Sequence, residues 1–173
     1  MILLALALVL ALAAPPHPLV CPPGTQHAGA QPMEGFDEWC EAPAPDGRPR
    51  REGPARTYYD DGSLWVEATY HEGLLDGPFV ERYRGGRKAR QGSYQAGARS
   101  GAWTFFYEDG TVEEESSWTK GVPDGPFADY WPSGKPRSVG RRCLGSQCGQ
   151  WRSYDEAGRL IGSVEYGDQR AAP

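Results

Sequence analysis

Between residues 53 and 168 the chain alternates apolar and polar positions in short runs. Trp103, Phe105 and Tyr107 fall on one side of an extended segment while Thr104 and Phe106 fall on the other, and Leu64, Val66, Ala68 and Tyr70 share a side in a second segment. A period of two over runs this short predicts half-buried strands rather than helices. Past the first fourteen residues no stretch free of glycine and proline exceeds ten, which excludes coiled coils, four-helix bundles and Rossmann domains, all of which need long breaker-free runs.

The punctuation between these runs is periodic. Glycines at 53, 77, 101, 125 and 149 recur every 24 residues, Gly62, Gly86, Gly110, Gly134 and Gly158 keep the same interval, and Gly73, Gly97, Gly121 and Gly145 complete the frame. This defines five tandem units without insertion, 53–76, 77–100, 101–124, 125–148 and 149–168, each with two alternating runs and hence two strands. In Tyr-Asp-Asp-Gly (59–62), Tyr-Glu-Asp-Gly (107–110) and Trp-Pro-Ser-Gly (131–134) two turn formers precede the glycine. That is the signature of a three-residue hairpin loop, a type I turn followed by a glycine bulge at positive φ. Gly92 and Gly140 share a further phase inside the return strand.

Gly-Pro-Phe (77–79 and 125–127), Gly-Ala-Trp (101–103), Tyr-Tyr-Asp-Asp-Gly (58–62) and Phe-Tyr-Glu-Asp-Gly (106–110) resemble the bacterial variant of the MORN repeat, often labelled the YwqK-family antitoxin type. The resemblance spans residues 53–168. It implies an all-β fold, an elongated, twisted, single-layer antiparallel meander of five 24-residue hairpins stacked along one axis. Two positions depart from the pattern. Arg142 stands where the other units have Tyr70, Tyr94, Trp118 and Tyr166, and Asp155 where they have Tyr59, Tyr83, Tyr107 and Trp131; the stack is expected to loosen toward its end. The leader CPPGTQHAGAQPMEGFDEWCEAPAPDG also resembles a disulfide-closed segment found before such repeats in exported bacterial proteins.

Composition narrows the class. Glycine (23) and proline (16) together are nearly twice as abundant as the ~12% usual in globular proteins, yet six Trp, nine Tyr and five Phe argue against disorder. The net charge of −5 gives no general attraction to nucleic acid or anionic lipid. Met1 to Ala14 form one apolar run, too short for the ~20 residues of a membrane-spanning helix and suited to a signal-peptide core. Ala11-Leu12-Ala13 offers the small-x-small cleavage pattern, although no Lys or Arg precedes the core. The expected organisation is a signal peptide at 1–13, a disulfide-closed leader and Pro-rich linker at 14–52, the repeats, and a tail at 169–173. Export to the periplasm, cell surface or medium follows, with no stable membrane span after cleavage. A lipoprotein acylated at Cys21 ranks lower, because bulky Val20 stands where such signals carry a small residue.

Four cysteines in an exported chain read first as two disulfides. Three pairings are open, and spacing favours the local ones, Cys21 with Cys40 and Cys143 with Cys148. Structural zinc fits poorly, since the eighteen-residue gap in the first couple is far from the usual two to four. His17, His27 and His71 are scattered, and Asp60-Asp61-Gly62 lacks the spaced ligands of a calcium loop. Lys and Arg against Asp and Glu give net charges of −4, +5, −5, +3 and −2 along the five units. With residue i near i+24, Arg90 would neighbour Glu114 and Glu113 would neighbour Arg137. Self-neutralised charge reads as register rather than as a phosphate-binding patch in Arg82, Arg84, Arg87, Lys88 and Arg90.

No unit places a nucleophile beside a histidine or a glycine-rich loop before a helix, so neither an enzyme nor a cofactor is expected. Binding is the better reading. The ladder Phe79, Trp103, Phe127 and Trp151, with Tyr83, Tyr107 and Trp131 two strand steps away, either stacks between repeats as the substitute for a core or stays open to a partner. The expected function is a monomeric, exported, non-catalytic interaction scaffold for a protein or envelope partner. The alternatives are an antitoxin or immunity protein that blocks a toxin, and peptidoglycan or polysaccharide binding through the aromatic face.

Overall fold

A computed structural model describes residues 18–32 and 36–167; the expected signal peptide and tail lie outside them. Twelve strands form one open antiparallel sheet in chain order: β1 (Gln26–Gly29), β2 (Asp37–Pro43), β3 (Pro49–Tyr58), β4 (Leu64–His71), β5 (Leu74–Arg82), β6 (Lys88–Gln95), β7 (Ala98–Phe106), β8 (Val112–Thr119), β9 (Val122–Tyr130), β10 (Pro136–Cys143), β11 (Ser146–Tyr154) and β12 (Leu160–Tyr166). The five repeat hairpins are β3–β4 through β11–β12, as the glycine frame predicts. The leader is part of the sheet. It supplies β1 and β2, a sixth hairpin with Trp39 opposite Ala55 on β3, and the expected boundary at residue 53 falls inside β3.

Two kinds of turn explain the fixed phases. Within each hairpin, Gly62, Gly86, Gly110, Gly134 and Gly158 take φ values of 78 to 94°, and each donates its N–H to the carbonyl three residues back, as in Gly110 to Tyr107 at 2.9 Å. This is the expected bulged loop. Between hairpins, the pairs Glu72-Gly73, Ala96-Gly97, Lys120-Gly121 and Leu144-Gly145 all have positive φ at both residues, the two-residue type I′ turn whose twist matches antiparallel strands.

The I′ turns are tied to the preceding repeat. The glycine N–H groups of residues 73, 97, 121 and 145 donate to the carbonyls of Arg51, Leu75, Arg99 and Pro123 at 2.8–3.0 Å. The Glu52 and Asp76 carboxylates accept from the N–H groups of Glu72 and Ala96. Each bond reaches back a constant 20 or 22 residues, so an insertion within a unit would break the clamp. That is the physical reason the 24-residue spacing is strict.

Both disulfides join the local pairs, Cys21–Cys40 and Cys143–Cys148. The first holds the segment before β1 against the sheet, where Leu19 and Cys40 are buried and the Pro22 ring lies over Gly53. The second bridges the Leu144-Gly145 turn, from the end of β10 to the start of β11.

The alternating charge has a different geometry from the one expected. Arg90 pairs with Glu81 and Arg137 with Asp129, each across one strand interface, at 2.6 and 2.8 Å; among the described residues no ion pair joins Arg90 to Glu114 or Glu113 to Arg137. Each repeat adds two strands, so i and i+24 sit ~9–10 Å apart with a strand between them. Arg84, carried on a loop, does span that gap to Asp60.

Candidate interaction surface

One row across the middle of the sheet forms the core. Running from β2 to β12 it reads Trp39, Ala55, Ala68, Phe79, Gly92, Trp103, Ser116, Phe127, Gly140, Trp151 and Val164. From Phe79 to Trp151, rings on the outgoing strands alternate with small residues, Gly92, Ser116 and Gly140, on the return strands. The indoles of Trp103 and Trp151 lie flat across Gly92 and Gly140, where any Cβ would overlap the ring. Each then donates its Nε1–H to the next carbonyl, Ser93 at 3.1 Å and Arg141 at 3.0 Å. A single-layer sheet has no second layer to pack against, so these rings bury themselves on their own sheet.

The seven aromatic residues of the predicted ladder therefore have structural partners. Phe79, Trp103, Phe127 and Trp151 are buried, with Trp103 only 1% exposed. Tyr83, Tyr107 and Trp131 are half-buried, and each donates from its polar tip to the carbonyl 23 residues on, Phe106, Tyr130 and Tyr154, at 2.7, 2.7 and 3.2 Å. Tyr59 does the same to Arg82. Asp155 ends the series for a physical reason. No further strand lies beyond β12 among the described residues, and its carboxylate instead accepts from the N–H and side chain of Arg159 in its own turn. Nor does Arg142 loosen the stack. Its guanidinium lies 4.8 Å from the Phe127 ring centroid and 5.7 Å from that of Trp151, the place Tyr94 occupies between Phe79 and Trp103 at 5.3 and 5.2 Å.

A neighbouring stripe on the same face was not picked out from the sequence. Arg51 stacks over Trp39 and Tyr70, Arg99 over Trp103, Phe105 and Trp118, and Arg142 as described. All three arginines and the rings of Tyr70, Tyr94 and Trp118 are half-buried. Among the described residues, none of the ion pairs within 4.0 Å includes Arg51, Arg99 or Arg142. Stacking orients these guanidiniums, helped by bonds from Arg51 to the Tyr70 hydroxyl and from Arg142 to the Gly145 carbonyl, and among the described residues no carboxylate pairs with them. The signal was available only after register was known, because Arg51 and Arg99 share one phase of the repeat and Arg142 belongs to another.

The second polar centre is Glu38, 1% exposed. Its Oε1 accepts from the Tyr58 hydroxyl and from Arg56, and its Oε2 accepts from Gln31 and meets His27 Nε2 at 3.2 Å. Burial works to raise the carboxyl, but these four bonds outweigh it and hold Glu38 below the usual carboxylate range; burial and then Glu38 push the Tyr58 phenol up to about 12. A carboxylate offers about four lone-pair sites, and all four are taken. Glu38 consequently ties β2 to β3 through Tyr58 and Arg56. Among the described residues no cluster of three or more His, Cys, Asp or Glu is arranged to hold a metal, and no helix is long and apolar enough to cross a membrane.

The fold and surface together define an open, single-sheet array of antiparallel hairpin repeats. The family profile described as MORN repeat variant matches residues 51–72 and 99–120, in the first and third repeat hairpins, so these two segments are similar to that repeat. Such repeats are generally protein- or membrane-binding motifs, compatible with a non-catalytic scaffold. No curated protein matches the chain.

Proposed function

We propose that the protein is an exported, non-catalytic repeat scaffold that engages a protein partner through the arginine and aromatic stripe. The observation that carries this reading is the set of three guanidiniums, Arg51, Arg99 and Arg142, stacked on rings on one face and outside every ion pair found. Stacked arginine beside half-buried aromatic rings is the composition of interface hot spots. Two disulfides fit an oxidising compartment. Burial of Phe79, Trp103, Phe127 and Trp151 leaves those rings little face for stacking on sugars, which favours a protein partner over a wall polymer.

The test is capture of envelope proteins on the immobilised chain, run in parallel with an Arg99→Ala, Arg142→Ala double variant. One protein retained by the native chain and lost from the variant is expected. Retention by both, or sedimentation with purified peptidoglycan without a retained protein, overturns the reading.

A further inference from the structure

The two edges of the sheet differ in kind. β1 has four residues, Gln26–Gly29, and lies beside the disulfide-held segment. β12 has seven residues, and every one is exposed, with Leu160, Ile161, Val164 and Tyr166 at 57, 67, 52 and 37%. Edge strands are normally blunted by shortness, charge, proline, bulges or cover, and the terminal units of repeat arrays normally carry a polar outer face. β12 has one charged residue, Glu165, no proline, and apolar side chains on both faces. It has the make-up of an internal strand, and its counterparts β4, β6, β8 and β10 are paired along both edges.

We propose that β12 pairs antiparallel with β12 of a second copy of this chain across a two-fold axis, closing the exposed edge in a symmetric dimer. The strand is self-complementary. Centred on Ser163, the register that overlaps all seven residues sets Leu160 opposite the partner's Tyr166, Ile161 opposite the partner's Glu165, and Gly162 opposite the partner's Val164. The single acidic residue meets no like charge. Arg159 meets Asp155 of its own turn through Nε at 2.8 Å and its side chain is 80% exposed; it lies two residues from Ile161 and so diagonal to the partner's Glu165, within reach of its remaining guanidinium N–H groups. Symmetry makes this charge pair twice. An isologous contact also stops at two copies, whereas docking β12 on β1 of another copy would propagate a filament and would meet a strand of only four residues. A strand from a foreign protein would satisfy the backbone equally well but has no reason to match both rows under a two-fold.

Sedimentation equilibrium on the disulfide-intact chain tests the assignment. Twice the single-chain mass is expected, falling to the single-chain mass in Ile161→Glu, where an exposed side chain is changed to one that meets the partner's Glu165 with like charge at both symmetric places and circular dichroism is expected to stay the same. Ser163→Cys, on the axis, is expected to yield a covalent dimer in which the two introduced thiols are joined to each other, as read by peptide mapping. Arg159→Glu is expected to weaken the dimer at least tenfold, and adding Glu165→Arg to restore it. A single-chain mass at every concentration overturns the proposal, as does a dimer that neither cross-links at position 163 nor answers to the charge exchange. A single-chain species whose β12 amides resist hydrogen exchange would overturn it too, by assigning the cover to residues of the same chain.

Discussion

The two ends of the sheet use the same chemistry for different ends. At the β1–β3 end, a disulfide 19 residues apart in sequence draws a proline-rich segment onto the sheet, and a buried carboxylate with four bonds ties β2 to β3. At the β10–β12 end, a disulfide only five residues apart staples the last type I′ turn, and among the described residues no strand pairs with the outer edge of β12. A hairpin meander has no layer to close its ends, so each end needs its own device. Among the described residues, one end is covered by its own chain and the other is pinned with its edge unpaired.

The sharpest way to break the contrast is Glu38→Ala. Removing this buried carboxylate leaves the Tyr58 hydroxyl without its acceptor, and a loss of about 3–5 kcal/mol is expected by chemical denaturation. In the native protein the same group sets a pH dependence. Glu38 titrates below its unfolded value of 4.5 when folded, so its stabilisation is full above that value and is lost as pH falls through the lowered folded pKa. Hydrogen exchange of β1–β3 is expected to rise in that window before exchange of β6–β9, and uniform behaviour across the sheet would contradict the account.

Opening the bridges comes next. In the chain-entropy model, Cys21→Ser with Cys40→Ser costs about 3 kcal/mol and Cys143→Ser with Cys148→Ser about 2 kcal/mol, because the loops differ in length. Exchange is expected to rise at β1–β3 in the first pair and at β10–β12 in the second, with the middle hairpins protected in both. Gly140→Ala, which drives a methyl group into the Trp151 indole, is expected to cost about 1–3 kcal/mol by thermal unfolding. The control Gly162→Ala, where nothing lies within 4 Å, is expected to be near neutral. The smallest effect is a gain. Lys120 holds φ of 50° in a type I′ turn, and Lys120→Gly is expected to stabilise by about 0.5–1 kcal/mol; a loss would show that the Lys120 side chain has a role of its own.

Much of the fold was legible because the repeat constrains the backbone at every cycle. The strand alternation, the bulged loops at Gly62 through Gly158 and the Cys143–Cys148 disulfide all rest on interactions within a few residues or on a phase that recurs every 24. The aromatic ladder was legible as a row, but the place of each ring in it was not, since whether Trp103 faces solvent or lies across Gly92 depends on the strand that precedes it. The expected Arg90–Glu114 neighbours failed on the same ground, as sequence phase does not say that a strand intervenes. The Arg51, Arg99 and Arg142 stripe and the Glu38 centre mix residues from different phases or from the leader, where no period exists to point at them.

By itself the sequence determined the number of repeat hairpins, their turns and their constant spacing, because glycine at positive φ and period-two alternation are local demands of the backbone. Only the tertiary structure decided that the leader joins the sheet, that the Trp103 and Trp151 rings lie across Gly92 and Gly140, and that β12 has no strand on its outer edge among the described residues. Those outcomes depend on which strands lie side by side, and side-chain burial in a one-layer sheet is set by neighbours on the adjoining strands, well separated along the chain.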